Sequence, residues 1–241
     1  MKRLTLLIVS VLVLVLVFSV NARTFVLVTG VSSYENADAN LSQTTKDAKS
    51  FKRVMETQTK DITLLTSKYA NHDNIMEKLR AICNRAQKGD RIIFFFSGHG
   101  YDGGICAYDR AITYDELIGA LSSSNASEKI CFIDACHAGS MANVGSTSWT
   151  SDATDNNMIF FVSSRSDEYS MENPYLGAGL FTKSLIKGLR GKADDNGDKR
   201  VTVLELFKYI HKDIVRTSGD EQHPQLIAPK SSLNNVLMVW K

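Results

Sequence analysis

The stretch Ile92-Ile93-Phe94-Phe95-Phe96-Ser97-Gly98-His99-Gly100 joins an apolar run to a histidine that stands between two glycines. The run Ile92–Phe96 consists of β-branched and aromatic residues, which is typical of a strand buried on both faces. The glycines on either side of His99 let other backbone segments approach closely and leave N–H groups accessible. The stretch therefore predicts a core strand with a histidine just beyond its carboxyl end.

Five more apolar runs of the same kind surround this one and predict the fold class. The first five runs start about 28 to 38 residues apart, which leaves room for a helix between neighbours. The alternation predicts an α/β fold with a mostly parallel sheet and helices on both faces. The runs are Phe25–Val28, Ile62–Leu65, Ile92–Phe96, Ile130–Ile133, Met158–Val162 and Val236–Trp240. The predicted helices are Thr44–Glu56, Asn74–Ala86, Tyr114–Leu121, Leu180–Leu189 and Val203–Val215.

A cysteine follows another of these runs in a similar setting. After Ile130–Ile133 comes Asp134-Ala135-Cys136-His137-Ala138-Gly139, so Cys136 and His99 should emerge at the same edge of the sheet. A thiol becomes a nucleophile when a base takes its proton. The alternatives are a metal site or a structural role, although adjacent Cys and His are too close for a usual zinc pair. The residues alone leave both interpretations open.

The charge balance excludes one class of function. The chain has 241 residues with 28 Lys and Arg against 26 Asp and Glu, and Lys2 and Arg3 are the only charges in residues 1–22. A nearly neutral chain without a basic run lacks the clustered cations that bind phosphates. We therefore expect no nucleic-acid partner, and residues 23–241 suit a single domain.

The amino terminus has the pattern of a targeting segment. Lys2 and Arg3 precede the apolar run Leu4–Val20, and Val20-Asn21-Ala22 ends it with small residues at the cleavage positions. This predicts a signal peptide over residues 1–22, and a secreted or periplasmic enzyme with no stable membrane association after cleavage. The alternative is an uncleaved signal that anchors the protein, because the uncharged length borders on that of a membrane span.

Export makes disulfides a consideration for the four cysteines. They allow two disulfides in three connectivities, and the sequence does not choose between them. Cys131 lies inside an apolar run, so we expect it to be a small buried hydrophobic residue. The pairing of Cys83, Cys106 and Cys131 stays open.

Two motifs carry a resemblance to a known family. Phe94–Gly100, followed by Ile133–Gly139, resembles the catalytic signature of caspase-like cysteine peptidases, and is closest to the metacaspase and bacterial caspase-like branch. The resemblance extends over most of residues 23–241. Its further segments are Val28–Val31, Lys46–Ala48, Gly179–Thr182 and Gly188–Gly191.

The resemblance implies a fold and a catalytic mechanism. The fold would be the caspase-like three-layer sandwich around a mostly parallel six-stranded sheet. Cys136 would be the nucleophile that forms a thioester acyl-enzyme, His99 the general base and later acid, and the N–H groups of Gly100 and Cys136 the oxyanion donors. His137 is a rival base, but neighbouring residues at a strand end point in different directions. The chemistry would require no cofactor.

The resemblance also points to the residues of the first specificity pocket. Aspartate-specific caspases carry glutamine where this chain has Asp134, and Asp47 and Ser97 match pocket positions of the metacaspase branch. Acidic groups there would pair with a basic side chain, so we predict cleavage of protein or peptide substrates after Arg or Lys. The alternatives are an Asp134 that caps backbone N–H groups and an Asp47 that merely opens a helix.

This specificity has a consequence for processing. The loop 139–157 contains no Lys or Arg. An enzyme specific for basic residues could not cut itself there, so we predict a single active chain.

A later segment fits the spacing of an EF-hand calcium loop. Lys199 departs from the pattern, since the sixth position normally holds Gly. The alternative for this segment is a solvated acidic turn. The resembled family often has a second calcium site elsewhere; near that position this chain has Asp109 and Asp115, but Tyr114 stands where a second acid is usual. The predicted ligands of a structural Ca²⁺ are Asp194, Asn196, Asp198, the Arg200 carbonyl, Thr202 and Glu205.

Three rival functions are considered. A catalytically latent caspase-like binding module is the first, but the cysteine, the histidine and the glycines are all present. An Asp-specific caspase-like peptidase is the second. Sortase-like transferases are β-barrels that pair cysteine with arginine, which the α/β alternation does not offer. The sequence leaves open whether the protein is a monomer or a dimer.

Overall fold

The computed structural model describes residues 22–135, 157–165, 172–173 and 178–240. The predicted nucleophile Cys136, its neighbour His137 and nearly all of the loop 139–157 lie outside the described residues, as do residues 1–21. Within the described ranges, no helix combines the length and the apolar character needed to cross a membrane.

Strands and helices alternate along the chain as the apolar runs predict. The helices begin and end within three residues of the predicted bounds. The strands are β1 (Thr24–Gly30), β2 (Ile62–Thr66), β3 (Arg91–Ser97), β4 (Gly100–Tyr101), β5 (Gly104–Cys106), β6 (Ala111–Thr113), β7 (Glu128–Asp134), β8 (Met158–Val162), β9 (Glu172–Asn173), β10 (Ala178–Gly179), β11 (Arg200–Thr202), β12 (Gln225–Ile227) and β13 (Val236–Val239). The α-helices are α1 (Thr44–Met55), α2 (His72–Arg85), α3 (Tyr114–Ser122), α4 (Leu180–Lys187) and α5 (Val203–Ser218).

Six strands form the central sheet in the order β12-β8-β7-β3-β1-β2. All neighbours are parallel except β12, which runs antiparallel to β8. In this register Ser97 lies opposite Gly30 on one side and Asp134 on the other. The sheet therefore brings the ends of β1, β3 and β7 to one level at its carboxyl edge.

Helices cover both faces of the sheet and bury it. Phe94 and Phe96 point to the face covered by α2 and α3, whereas Phe95 points to the face covered by α1, α4 and α5. The Phe95 ring stacks on Phe51 of α1 with 4.3 Å between ring centroids. Burial on both faces explains why the strands are continuous apolar runs without polar alternation. The three-layer α/β prediction is confirmed.

The sixth strand of the sheet is not the one that the apolar runs indicate. Val236–Trp240 was expected to end the sheet, but β13 pairs with β11 in a separate two-stranded sheet. The edge position belongs to β12, which has three residues, all of intermediate burial. A strand so short and so partly buried leaves no apolar run in the sequence, and therefore the prediction missed it.

Candidate active site

The carboxyl edge of β3 and β7 holds the predicted site. The backbone N–H of Gly98, just after β3, donates to the carbonyl of Asp134 at 3.1 Å, which ties the two strand ends together. A Cβ on Gly98 would lie 2.7 Å from Phe96 Cζ and 2.9 Å from Tyr34 Oη. A larger residue at position 98 would have to displace the Phe96 and Tyr34 rings, so glycine lets the chain pass close to both side chains on its way to His99.

The His99 imidazole is held by a backbone carbonyl. Its Nε2 lies 2.8 Å from the carbonyl oxygen of Ala39. A carbonyl only accepts, so this contact assigns the hydrogen to Nε2 and leaves Nδ1 of the neutral ring as the basic nitrogen. Tyr34 fixes the residue further, since its hydroxyl accepts from the His99 N–H at 2.8 Å and its ring centroid lies 4.9 Å from the imidazole. The neutral His99 ring can therefore accept a proton at Nδ1.

The peptide that precedes Cys136 is held by the next strand. Ser163, directly after β8, has a hydroxyl that accepts from the Ala135 N–H at 3.1 Å and donates to the Ala135 carbonyl at 2.9 Å. The Ser163 N–H donates to the Ile133 carbonyl, and the Ser163 carbonyl accepts from the Gln222 side chain at 2.7 Å. Ser163, Ala135 and Gln222 are all buried. The chain is therefore fixed up to the residue before the predicted nucleophile.

Two buried carboxylates meet beside this edge. Asp47 of α1 accepts through Oδ2 from the Ser97 hydroxyl and from the Gly179 N–H, both at 3.2 Å. Asp134 accepts through Oδ2 from the Thr182 N–H at 3.1 Å and from the Thr182 hydroxyl at 2.7 Å. A Cβ on Gly179 would lie 2.7 Å from the Asp134 oxygen and 3.3 Å from the Asp47 oxygen. Both carboxylate oxygens therefore lie against Gly179, where even a methyl group would be too large.

The structure thus brings Asp47, Asp134 and Ser97 together, as the specificity-pocket prediction requires. The two acids are 2% and 6% exposed, so each carboxylate depends on neighbouring donors rather than on water. Asp134 also accepts from the backbone N–H of Thr182, which is the contact that the alternative to a pocket role predicts. A carboxylate has more than one acceptor position, so this contact is compatible with the predicted pocket role, which stays a prediction.

Several positioning contacts had no signal in the sequence. Ala39 acts through its carbonyl, so its side chain carries no information about the role. Tyr34 is 65 residues away from His99 in the sequence, and Ser163 is 28 residues away from Ala135. Thr182 lies in a segment that the resemblance covers, but the resemblance assigned it no role.

The acidic loop before α5 uses its side chains to hold its own backbone. Asp194 accepts from the Gly197 N–H at 2.8 Å and from the Lys199 N–H at 3.0 Å, and Lys199 has a positive φ of 63° where an EF-hand has Gly. Glu205 accepts from the N–H and the hydroxyl of Thr202 in a capping box. The side chains of Asn196 and Asp198 also accept from the backbone of this loop. Asn196 accepts from the Asp198 N–H, and Asp198 accepts from the Arg200 N–H.

These contacts leave calcium binding a prediction. Among the residues described, no group of three or more His, Cys, Asp or Glu is arranged to hold a metal ion. At the second position, Asp109 accepts from the His72 N–H at 2.8 Å and pairs with Arg110. The turn and the capping box have the form of a calcium loop, but its carboxylates already have partners.

Substitution of Asp194 separates the two roles of this loop. We expect Asp194→Ala to lower the free energy of unfolding by about 1 kcal/mol in EDTA, because two backbone N–H groups lose their acceptor. Thermal melting with and without Ca²⁺ tests the metal. A calcium site predicts that millimolar Ca²⁺ raises the Tm of the wild type but not that of the variant; equal shifts in both proteins would contradict it.

The three described cysteines are free thiols, and no disulfide joins them. Burial raises the pKa of the Cys83 thiol to about 11. It raises the pKa of the fully buried Cys131 thiol by more, and it also raises the pKa of the half-buried Cys106 thiol. A raised pKa keeps a thiol protonated at neutral pH and therefore unreactive. None of these three cysteines has the setting of a nucleophile.

Native alkylation checks this assignment. We expect iodoacetamide at pH 7.5 to modify Cys136 in the folded protein, whereas Cys83 and Cys131 should react only after denaturation. Peptide mapping by mass spectrometry distinguishes the sites, with Cys136→Ala as the control. Alkylation of Cys83 or Cys131 in the native protein as fast as that of Cys136 would contradict the assignment.

The geometry defines a class of protein: a three-layer α/β domain with an oriented histidine and two buried carboxylates at the carboxyl edge of its parallel sheet. The model of the Peptidase C14 family, the caspase domain, matches residues 23–234, and the chain belongs to this family. Two crystal structures share the fold. One is protein GSU0716 from Geobacter sulfurreducens, with a TM-score of 0.68 and 17% identity, covering 91% of this chain and 100% of that chain.

The other is caspase-1 from Spodoptera frugiperda, with a TM-score of 0.67 and 16% identity, covering 90% of each chain. A comparison with the curated proteins gives no match. The family and the fold confirm the caspase-like resemblance and support a function of the cysteine peptidase type.

Proposed function

We propose that this protein is an exported cysteine endopeptidase that hydrolyses peptide bonds after Arg or Lys, with Cys136 and His99 as its catalytic pair. The observation that carries the proposal is the pair of buried carboxylates, Asp47 and Asp134, whose oxygens both lie close to Gly179 at the catalytic edge. A substrate guanidinium or ammonium placed there would gain two charge-assisted hydrogen bonds or ion pairs. An acidic side chain would be repelled, which disfavours the Asp-specific alternative.

The catalytic steps follow from the orientation of His99. Nδ1 takes the proton of the Cys136 thiol, and the thiolate attacks the substrate carbonyl carbon. The N–H groups of Gly100 and Cys136 hold the oxyanion. His99 then gives its proton to the leaving amine, the C–N bond breaks and a thioester remains. Water, deprotonated by the same nitrogen, hydrolyses the thioester and releases the acid and the thiol.

Ala39 assists these steps through its carbonyl. The Nε2–H donates to the Ala39 oxygen in the neutral and in the protonated ring alike, so this contact holds the imidazole in place through the proton transfers. A backbone carbonyl thereby takes the orienting place that a carboxylate holds in a catalytic triad. The chemistry needs no cofactor, and the calcium loop described above would serve structure rather than catalysis.

Four donors hold the two acids in place at this edge. They are the hydroxyls of Ser97 and Thr182 and the N–H groups of Gly179 and Thr182. In the proposed pocket these contacts orient the carboxylates for a basic side chain of the substrate. The alternative of a latent binding module has no comparable support, because an oriented histidine and an acidic pocket would then serve no purpose.

The proposal extends to the location and partners of the enzyme. The leading segment 1–22 would direct export to the periplasm or outside the cell, or would anchor the protein if it were retained. Its partners are proteins or peptides with a basic residue before the scissile bond, and not nucleic acids. Monomer and dimer are both compatible with these roles.

The processing state is the next prediction. We expect the active enzyme to be one chain through the loop 139–157, because that loop offers no Lys or Arg to an enzyme of this specificity. Intact-mass analysis of the active enzyme tests this, with Cys136→Ala as the uncleavable reference. An active two-chain form with a cut between residues 139 and 157 would contradict it.

Covalent trapping tests the proposed function itself. Peptidyl acyloxymethyl ketones that end in Arg, Lys or Asp differ only in the residue presented to the pocket. We expect the Arg and Lys reagents to modify Cys136 and the Asp reagent to react far more slowly, as read by peptide mapping. Exclusive reaction of the Asp reagent would overturn the specificity, and the absence of any adduct would overturn the catalytic role.

A further inference from the structure

Helix α4 begins without a side-chain cap of its own. Its N-cap residue is Gly179, whereas helices usually place Ser, Thr, Asp or Asn there to accept a first-turn N–H. Asp134, at the end of β7, supplies the acceptor instead, since its Oδ2 accepts from the Thr182 N–H at the third helical position. The cap thus comes from a strand 48 residues away in sequence, and it is one of the two pocket acids.

Thr182 makes a second contact with the same oxygen. Its hydroxyl lies 2.7 Å from Asp134 Oδ2, and its side chain is fully buried. A carboxylate only accepts, so the hydroxyl donates. Two donors from one residue fix the rotation of the carboxylate, and the positive end of the helix dipole lies at the same place. The orientation of Asp134 is therefore set by α4.

The first turn of α4 also contacts the other acid. The Gly179 N–H donates to Asp47 Oδ2 at 3.2 Å, so both carboxylates accept hydrogen bonds from the start of the same helix. Two ionised carboxylates at one helix start repel each other. Hydrogen-bond donors to the charged form offset this repulsion, and Thr182 gives Asp134 two of them, its N–H and its hydroxyl.

We propose that Thr182 is a positioning residue for substrate specificity: it fixes the orientation of the Asp134 carboxylate at the pocket, so that the enzyme distinguishes a charged basic side chain from a neutral one of the same shape. This inference rests on the proposed function. Thr182 acts through Asp134 and does not touch the substrate. Neither the sequence motif nor the family match assigns it this role.

Gly179 lets the start of α4 approach both acids closely. Its backbone angles, φ −57° and ψ 142°, suit any residue, so glycine is not needed for the conformation. An alanine Cβ would instead lie 2.7 Å from the Asp134 oxygen and 3.3 Å from the Asp47 oxygen. Gly179→Ala should therefore push the Asp134 carboxylate out of the orientation that Thr182 gives it.

The experiment compares two peptides that differ in charge alone. One ends in Arg and the other in citrulline, its uncharged analogue, and the readout is the ratio of their kcat/KM values. Thr182→Val removes the hydroxyl and keeps the shape and the N–H. We expect it to lower the Arg-to-citrulline ratio about 10-fold or more, through KM for the Arg peptide, because a hydrogen bond to a charged group is lost.

Two variants serve as controls. Thr182→Ser keeps the hydroxyl and should restore the ratio to within about threefold of the wild type. Ser184→Ala removes another buried hydroxyl from α4, one that contacts neither acid in the described structure, and should leave the ratio unchanged. The rate of Cys136 alkylation by iodoacetamide should stay the same in all of them, since the catalytic pair is untouched.

The outcomes separate this inference from the proposed function. An unchanged ratio in Thr182→Val, or equal losses with both peptides, would overturn the positioning role and leave the protease proposal intact. If Thr182→Val does not fold, Gly179→Ala decides: a selective loss with the Arg peptide supports the inference, and an unchanged ratio overturns it. A wild type with no preference for Arg over citrulline would overturn both proposals.

Discussion

Replacing His99 with alanine is expected to lower kcat/KM for an arginyl peptide by about 10²- to 10⁴-fold, which is the usual contribution of a general acid and base. The reason is the geometry of the ring. Ala39 holds the hydrogen on Nε2 and leaves Nδ1 as the base, so the variant loses the group that moves the proton to and from Cys136. Steady-state kinetics at pH 7.5 under reducing conditions measures the loss.

The neighbouring histidine provides the matched control. We expect His137→Ala to keep kcat/KM within about threefold of the wild type, since adjacent residues at a strand end face in different directions. Thermal melting of both variants checks that the fold survives. Loss of activity in His137→Ala together with full activity in His99→Ala would reverse the assignment of the base.

The second large effect is expected at the pocket acids. Asp134→Asn removes the charge but keeps an oxygen that can accept from Thr182, so the cap of α4 survives. Loss of one partner from a buried charge pair costs about 2–4 kcal/mol, which is about 30- to 1,000-fold in kcat/KM for an Arg peptide. Asp47→Asn should act in the same direction. Hydrolysis of a citrulline peptide should fall much less.

A buried aspartate at the opposite end of the sheet is the control for this experiment. Asp90 is 1% exposed and accepts from the N–H groups of Arg23 and Gln87, just before β3 begins. The seven residues of β3 place it about 20 Å from the pocket. Asp90→Asn should lower the Tm and leave the preference for Arg unchanged. An equal change of preference in Asp90→Asn and Asp134→Asn would argue against the acidic pocket.

The sequence predicts most of this fold because the sheet is buried on both faces. Ile92–Phe96 and three other runs become the buried strands β1, β3, β7 and β8, since such strands must be continuously apolar. Ile62–Leu65 becomes the edge strand β2, whose residues are of intermediate burial but still form an apolar run. β12 escaped prediction because its three residues are too few to form such a run, and its place was wrongly given to Val236–Trp240.

The candidate site, like the fold, could be predicted from the sequence only in part. Asp47, Asp134 and Ser97 could be named from the sequence because chemistry depends on their side chains. The contacts that position them could not be named, because they join distant segments through backbone atoms, as the Ala39 carbonyl does with His99. One feature of the sequence could have indicated such a contact. A glycine at the start of the predicted helix Leu180–Leu189 has no side chain to cap it, so another element must supply the acceptor.

The central claim is a peptidase with a Cys136 nucleophile and an acidic pocket, and hydrolysis of matched peptides tests it most directly. The purified enzyme is assayed under reducing conditions, with added Ca²⁺, on fluorogenic peptides that end in Arg, Lys or Asp, with Cys136→Ala as the blank. We predict turnover of the Arg and Lys peptides, none of the Asp peptide, and none in the blank. Turnover of the Asp peptide alone, or equal turnover in the blank, would contradict the account.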